Sequence, residues 1–344
     1  MQTSTAASPS GERLDPDTPD TVRMSVDEAA ALGRRALARL NFPDDEARII
    51  VDQLIDNALC GYKFAGLPRI LAIAGDAKTR NARGPVRVVH ETPISALLDG
   101  GNNVGYIAAY RGAEMAIKKA RATGIASVGV YNSYFSGRNA YYVERIVEAG
   151  FFAFHTACGQ PLVVPPGGAR PAFGTNPISF GFPSDSGPVT VDLGTASIMW
   201  GDVMLHAQLG MPLAEGIGFD REGRPTQDAA ATLQGGVAPF GGYKGYALCF
   251  AIQAIGLLAG SAMARNRVLD YGFYFFALDP NVMLPGQDFK ARMTELVQAV
   301  KATPRQPGVD EIRIPSERAN RERERRRTEG IVLERKIVAS LEAL

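Results

Sequence analysis

Residues 108–131, AAYRGAEMAIKKARATGIASVGVY, decide the fold class. Ala108 to Thr123 reads as a helix, and Gly124 follows it as the residue that most often ends one in the left-handed conformation. Ile125 to Tyr131 is then a short apolar run of strand length. A helix feeding directly into a buried strand is the unit of α/β architecture. Upstream, Val86 to Val89 is strand-like and Asp99-Gly100-Gly101-Asn102-Asn103 is a turn cluster. Downstream, Phe151 to Thr156, Ile178 to Phe182 and Val189 to Leu193 read as further strands. Helical stretches lie at Tyr141 to Glu148 and Tyr246 to Met263. Some of these strands are too close in sequence for crossover helices, so a mixed sheet is expected.

The N-terminal part has a different texture. Ser25 to Glu28 is a capping box, in which each side chain satisfies the other residue's free backbone N–H. Ala29, Leu32, Ala36 and Leu40 follow at helical period, and a second helix runs from about Asp45 to Leu59. Such a small helical unit cannot stand alone and needs a partner for its apolar faces. The division expected is a disordered tail over 1–22, a helical domain over 23–85 plus 315–344, and an α/β domain over 86–314. Ser316 to Glu329 is dense in Arg and Glu; Glu317 with Arg321 and Glu322 with Arg326 stand four apart, which predicts a solvated helix.

At 344 residues the chain has room for about two domains. Lys plus Arg is 37 and Asp plus Glu 36, for a net charge of +1, which argues against a broad basic surface for nucleic acid. Three cysteines, Cys60, Cys158 and Cys249, form no close pair, and His90, His155 and His206 have no metal-ligand spacing. No metal site and a reducing cytoplasm are therefore expected, with no secretory signal at the start. Tyr246 to Ala264 carries no charge and nearly reaches membrane-span length; its Ala, Gly, Gln253 and Ser261 favour a fully enclosed core helix instead.

Neither a Gly-x-Gly-x-x-Gly turn between strand and helix nor a P-loop is present. Four small-residue loops stand in their place: Pro165-Pro166-Gly167-Gly168, Gly174-Thr175-Asn176-Pro177, Asp192-Leu193-Gly194-Thr195-Ala196-Ser197 and Gly241-Gly242-Tyr243-Lys244-Gly245. Singly each reads as an ordinary turn. Four in one domain, one carrying a Lys, point to backbone approaching a large polar ligand.

The order of these loops resembles the type-2 malate/L-lactate dehydrogenases, together with Asp220-x-x-Gly-x-Pro-Thr226 and Ile314-Pro315-Ser316-Glu317. That group includes ureidoglycolate and sulfolactate dehydrogenases and piperideine-2-carboxylate reductase. The likeness runs from about Ser25 to Leu344. It implies a nicotinamide-binding α/β domain of non-Rossmann type with a mixed sheet, beside a small helical domain. It also implies a homodimer, NADH or NADPH as cofactor, and a small carboxylate substrate. Carried over by position, cofactor contacts fall on Gly174, Thr175, Asn176, Asp192, Leu193, Gly194, Lys244, Pro315, Ser316 and Glu317. Lys244 has a physical rationale of its own, since a cation beside close-approaching glycine backbone can meet a phosphate.

Two departures from the family pattern bear on the chemistry. The family's Ser-His-Gly stands here as Phe64-Ala65-Gly66, and its Ser-x-His-Phe-Gly as Ser133-Tyr134-Phe135-Ser136-Gly137. Both family histidines are thus replaced, by Ala65 and Phe135. Gln253 stands where the family often carries Glu, and Cys158 where the family chain approaches the cofactor. Losing a general acid typically costs about 10² to 10⁴ in rate. Tyr134, Tyr141, Tyr142 or Lys63 could supply a proton, but the sequence does not place them. A cyclic iminium acid arrives already protonated, so an apolar site with Arg69 clamping the carboxylate through paired hydrogen bonds could reduce it. The candidate catalytic set is Arg69, Ala65, Tyr134 and Phe135. The expected function is an NAD(P)H-dependent reductase of a small cyclic 2-imino or 2-oxo acid. The alternatives are a catalytically silent cofactor-binding homologue and a repurposed lyase or cyclase.

Overall fold

The computed structural model describes residues 18–264, 267–268 and 270–344. Most of the segment read as a disordered tail, residues 1–17, lies outside them, while Thr21 and Val22 already belong to strand β1 (Thr21–Met24). That strand pairs antiparallel with β14 (Ile331–Glu334), so the two ends of the chain are tied together. Between them the helical layer is built from α1 (Val26–Arg39), α2 (Asp44–Leu59) and α3 (Arg69–Gly75), joined by the C-terminal helices α11 (Glu317–Glu329) and α12 (Arg335–Glu342). The capping box holds as expected: Glu28 N donates to Ser25 Oγ at 3.2 Å, and Ser25 N donates to Glu28 Oε2 at 2.8 Å. The apolar stripe of α1 (Ala29, Leu32, Ala36, Leu37) meets Ile50 and Leu54 of α2 and Ile331, Leu333 and Leu341 of the C-terminal segment in one core.

Seven strands form the central sheet, β2 (Arg87–Glu91), β3 (Ser95–Val104), β4 (Ile125–Tyr134), β5 (Phe152–Cys158), β6 (Ile178–Phe182), β7 (Val189–Leu193) and β13 (Tyr271–Leu278), in the order β2-β3-β4-β13-β5-β6-β7. The sheet is mixed. Among its hydrogen-bonded neighbours only β3 and β4 run parallel, joined by the crossover helix α4 (Gly105–Thr123), whereas β4 and β5, joined through a second helix, are separated by the antiparallel β13. Gly124 ends that helix at φ 80°, as its sequence position predicts. Helices α4 and α5 (Ala140–Glu148) cover one face of the sheet with Ala113, Ala116, Tyr142 and Ile146. The segment after β7 adds α6 (Trp200–Leu209), the small sheet β8 (Gly218–Phe219), β9 (Pro225–Thr226) and β10 (Gly236–Val237), α7 (Ala229–Gln234) and α8 (Tyr243–Leu258). The hairpin β11 (Met263–Ala264) with β12 (Arg267–Val268), then α9 (Pro280–Met283) and α10 (Phe289–Lys301), complete the chain.

Three sequence expectations change. Asp99 to Asn103 does not end a strand: it is an irregularity inside β3, where Gly101 and Asn102 take left-handed backbone at φ 61° and 57° and the register to β4 shifts. Helix α11 is solvated on one side only. Arg323 turns inward to Glu144 (2.6 Å) and Asp56, Arg138 pairs with the same two acids, and Arg326 donates to Ala58 O at 3.2 Å. Helix α8 ends at Leu258 and is not enclosed. Gly245, Cys249, Ile252, Gln253 and Gly256 are buried, but Tyr243, Phe250 and Leu258 are 73%, 57% and 75% exposed. A helix apolar on all sides is therefore packed on one side and uncovered on the other. Among the described residues no helix is long and apolar enough to cross a membrane.

Candidate active site

Three of the four small-residue loops meet. Thr195 Oγ1 donates to Thr175 O at 2.9 Å and Asn176 O at 3.1 Å, and Phe240 N donates to Thr195 O at 2.9 Å. Asn176 Nδ2 donates to Cys249 O and Gln253 Oε1, which clips Gly174 to Asn176 onto α8. The fourth loop follows from Val163, which bridges both Phe173 and Val237. Gly241 and Gly242 both take left-handed backbone, at φ 56° and 61°, and a Cβ on either would meet nothing within 4 Å. Helix α8 starts immediately afterwards, no side chain caps it, and Lys244 is exposed on its first turn. Free N–H groups at the start of a 16-residue helix, an open glycine turn and a Lys together suit an anionic group such as a dinucleotide phosphate.

Asp192 is engaged inside the fold. Its carboxylate accepts from Ala140 N at 2.8 Å and from Ser179 Oγ at 2.6 Å, so it ties β7 to the start of α5. Burial pushes its carboxyl above the usual range, against the pull of those two hydrogen bonds. Leu193 is exposed beside it, and Gly194 lies close to Met199 and Thr175 O. Pro315, Ser316 and Glu317 sit at the entry of α11. There Glu317 pairs with Lys301 (2.6 Å) and Arg321 (2.7 Å) and accepts from Ile314 N. Among the described residues no hydrogen bond or ion pair joins this segment to the other cofactor candidates.

The substrate-end candidates gather at the boundary between the two layers. Arg69 opens α3, and its guanidinium lies over the Phe135 ring, 4.5 Å from the centroid. Phe135 in turn meets Tyr134 and Tyr106 edge-on at 5.4 and 6.1 Å. Among the described residues no carboxylate pairs with Arg69, although it is half-buried. Ala65 lies in a short turn, where its carbonyl accepts from Asn57 Nδ2 at 3.0 Å, and Phe64 beside it is exposed. The Tyr134 hydroxyl is turned away to Thr79 Oγ1 at 2.9 Å, and Tyr142 donates to Ser136 O at 2.8 Å. Tyr141 is buried on α5 in the sheet core, while Lys63 is exposed in the same turn as Ala65.

Two groups not singled out on the sequence stand here. Lys78 Nζ donates to Ser133 O at 2.9 Å, and burial lowers its pKa against the pull of Asp270 and Asp76. Tyr271 opens β13 opposite Ser133 and packs against both the helical core and the sheet core. Its ring fills the space where a Cβ on Gly159 would lie, 2.3 Å away. Burial pushes its hydroxyl up to about 12, opposed by Arg69 and by a hydrogen bond from the Gln160 backbone. No local spacing announces Tyr271, because strand pairing alone brings it to the Phe135 loop.

His155 is a core histidine, as its strand context suggests. Nδ1 donates to Tyr274 O at 2.9 Å, the ring stacks on Phe275 at 4.1 Å, and burial pushes its pKa down to about 3. Cys158 and Cys249 are buried thiols, pushed up by that burial.

The malate/L-lactate dehydrogenase family model matches residues 24–342. The L-sulfolactate dehydrogenase of Methanothermobacter thermautotrophicus is 32% identical, over 92% of this chain and 94% of its own length. The delta(1)-pyrroline-2-carboxylate/delta(1)-piperideine-2-carboxylate reductase of Pseudomonas aeruginosa is 30% identical, over 93% of this chain and all of its own. Among solved structures, delta1-piperideine-2-carboxylate reductase from Pseudomonas syringae superposes with a TM-score of 0.83 at 28% identity, covering 94% of this chain and 99% of that one.

Proposed function

Because this chain belongs to the malate/L-lactate dehydrogenase family, an oxidoreductase family acting on small acids, we propose that it reduces a small cyclic 2-imino or 2-oxo acid with NADH or NADPH. The observation that carries the reading is Arg69, half-buried, stacked on Phe135 and, among the described residues, without a carboxylate partner. A planar cation held in that way presents its N–H edge to the carboxylate of a substrate. When bound, a reduced nicotinamide supplies hydride to C2. The loops at Gly174 to Asn176 and Leu193 to Gly194 and the Gly241 to Lys244 turn bind it, while Asp192 braces the strand that carries them. Ala65 leaves room where the family has an imidazole, and Phe135 makes the floor apolar. Imino acids that arrive protonated are favoured, because neither residue can donate a proton.

The protein works in the cytoplasm as a homodimer whose interface includes the uncovered side of α8. Tyr243, Phe250, Leu257 and Leu258 there are apolar and exposed, as a buried interface core requires. Nicotinamide fluorescence titration tests cofactor binding. NAD(P)H oxidation with piperideine-2-carboxylate and a panel of 2-oxo acids tests turnover. Failure of both cofactors to bind would sink the proposal.

A further inference from the structure

We propose that the Tyr271 hydroxyl is the proton donor of this site and widens its substrates to 2-oxo acids. The inference rests on the reductase reading. In a 2-oxo acid the carbonyl oxygen sits one carbon from the carboxylate, so the group that protonates it must stand beside the cation that binds the carboxylate. Among the described residues, Tyr134 and Tyr106 meet the Phe135 ring, and Lys78 and Tyr271 reach Ser133 just before it; each carries a proton. The Tyr134 hydroxyl is bonded to Thr79, and Lys78 Nζ to Ser133 O. Tyr106 is fully buried behind the edge of Phe135. Tyr271 keeps some exposure along its ring while its hydroxyl end lies buried against the Gly159 and Gln160 backbone, and it sits between two strand ends, that of β4, which leads into Phe135, and that of β5, which ends at Cys158 and leads into Gly159. Its ring is held against Gly159, where any side chain would displace it.

The step balances. As C2 of the 2-oxo acid accepts hydride with its electron pair from a reduced nicotinamide, the π pair of C=O moves onto oxygen. The Tyr271 O–H bond breaks and its proton completes the product hydroxyl. The phenolate left behind takes a proton from water. Arg69, within electrostatic reach of this hydroxyl, stabilises the phenolate in the interval.

Wild type and Y271F are compared as full-length protein in two measurements. The first is kcat/KM on 2-oxo acids relative to kcat/KM on a protonated cyclic 2-imino acid. This ratio falls about 10²-fold or more in Y271F, because only the ketone needs the proton. The second is calorimetric binding of oxamate, which carries a carbonyl beside its carboxylate, against propionate, which lacks it. Oxamate loses about 10-fold in affinity relative to propionate, the loss of one hydrogen bond to its carbonyl. An unchanged ratio, or oxamate and propionate weakened alike, overturns the proposal and leaves Tyr271 a packing residue. A wild type that reduces imino acids but no 2-oxo acid overturns it too, with the reductase reading intact. A wild type that reduces neither class removes the reductase reading instead, and the oxamate comparison still decides whether Tyr271 donates.

Discussion

Two arginines in this protein, the half-buried Arg69 and Arg138 with its buried side chain, respond differently to the same substitution. Arg69 has no carboxylate partner among the described residues, so Arg69→Met leaves no buried acid behind. It removes a stack on Phe135 at 4.5 Å, a contact of about 0.5 to 2 kcal/mol, and relieves the burial of a lone cation. Stability therefore changes by less than about 1 kcal/mol. Arg138 pairs with Asp56 and Glu144, whose side chains are 18% and 9% exposed. Arg138→Met leaves both acids to Arg323 alone and costs about 3 to 5 kcal/mol, as breaking a buried pair does. Ligand binding reverses the order. Two charge-assisted hydrogen bonds at about 1.5 to 2 kcal/mol each make Arg69→Met about 10² to 10³ weaker for a small carboxylate. Urea unfolding gives the first quantity and calorimetric titration with oxamate the second. If Arg69→Met unfolds as easily as Arg138→Met, Arg69 has a structural partner and the clamp is wrong. Wild-type affinity for the carboxylate in Arg69→Met would refute it equally.

The buried imidazole of His155 gives a pH dependence. Its folded pKa near 3 lies below the ordinary value of 6.5, so the unfolded chain takes up the proton first as pH falls. The stability it holds at neutral pH therefore drains between about pH 6.5 and 3. Relative to His155→Gln, the wild type loses about 2 kcal/mol between pH 7 and 5, measured by urea unfolding at each pH; parallel curves for the two proteins would contradict this. The uncovered side of α8 predicts that Phe250→Glu with Leu258→Glu shifts the sedimentation coefficient from dimer to monomer while far-UV circular dichroism stays constant. A monomeric wild type would end the interface proposal.

Much of this protein follows from its order of residues. The capping box at Ser25 and the helix stop at Gly124 act through bonds and backbone sterics within a few residues, so they can be read locally. The mixed sheet follows from the connections, since β3 and β4 are joined by a crossover helix while the β2 to β3 and β6 to β7 links are too short for one. The ordered glycine loops carry the family resemblance because turn chemistry is local too. What the chain order could not decide is whatever depends on which faces meet. The apolar run of α8 looks the same whether one side or both are covered, and the Arg-Glu helix α11 does not reveal that Arg323 turns inward to acids on α2 and α5. The neighbours of Arg69 were equally hidden. Phe135 reaches it across the boundary between layers, and Tyr271 comes to the Phe135 loop only through the pairing of β13 with β4 and β5. Hydrogen bonds between strands distant in sequence set those positions, and a pattern of neighbours along the chain carries no record of them.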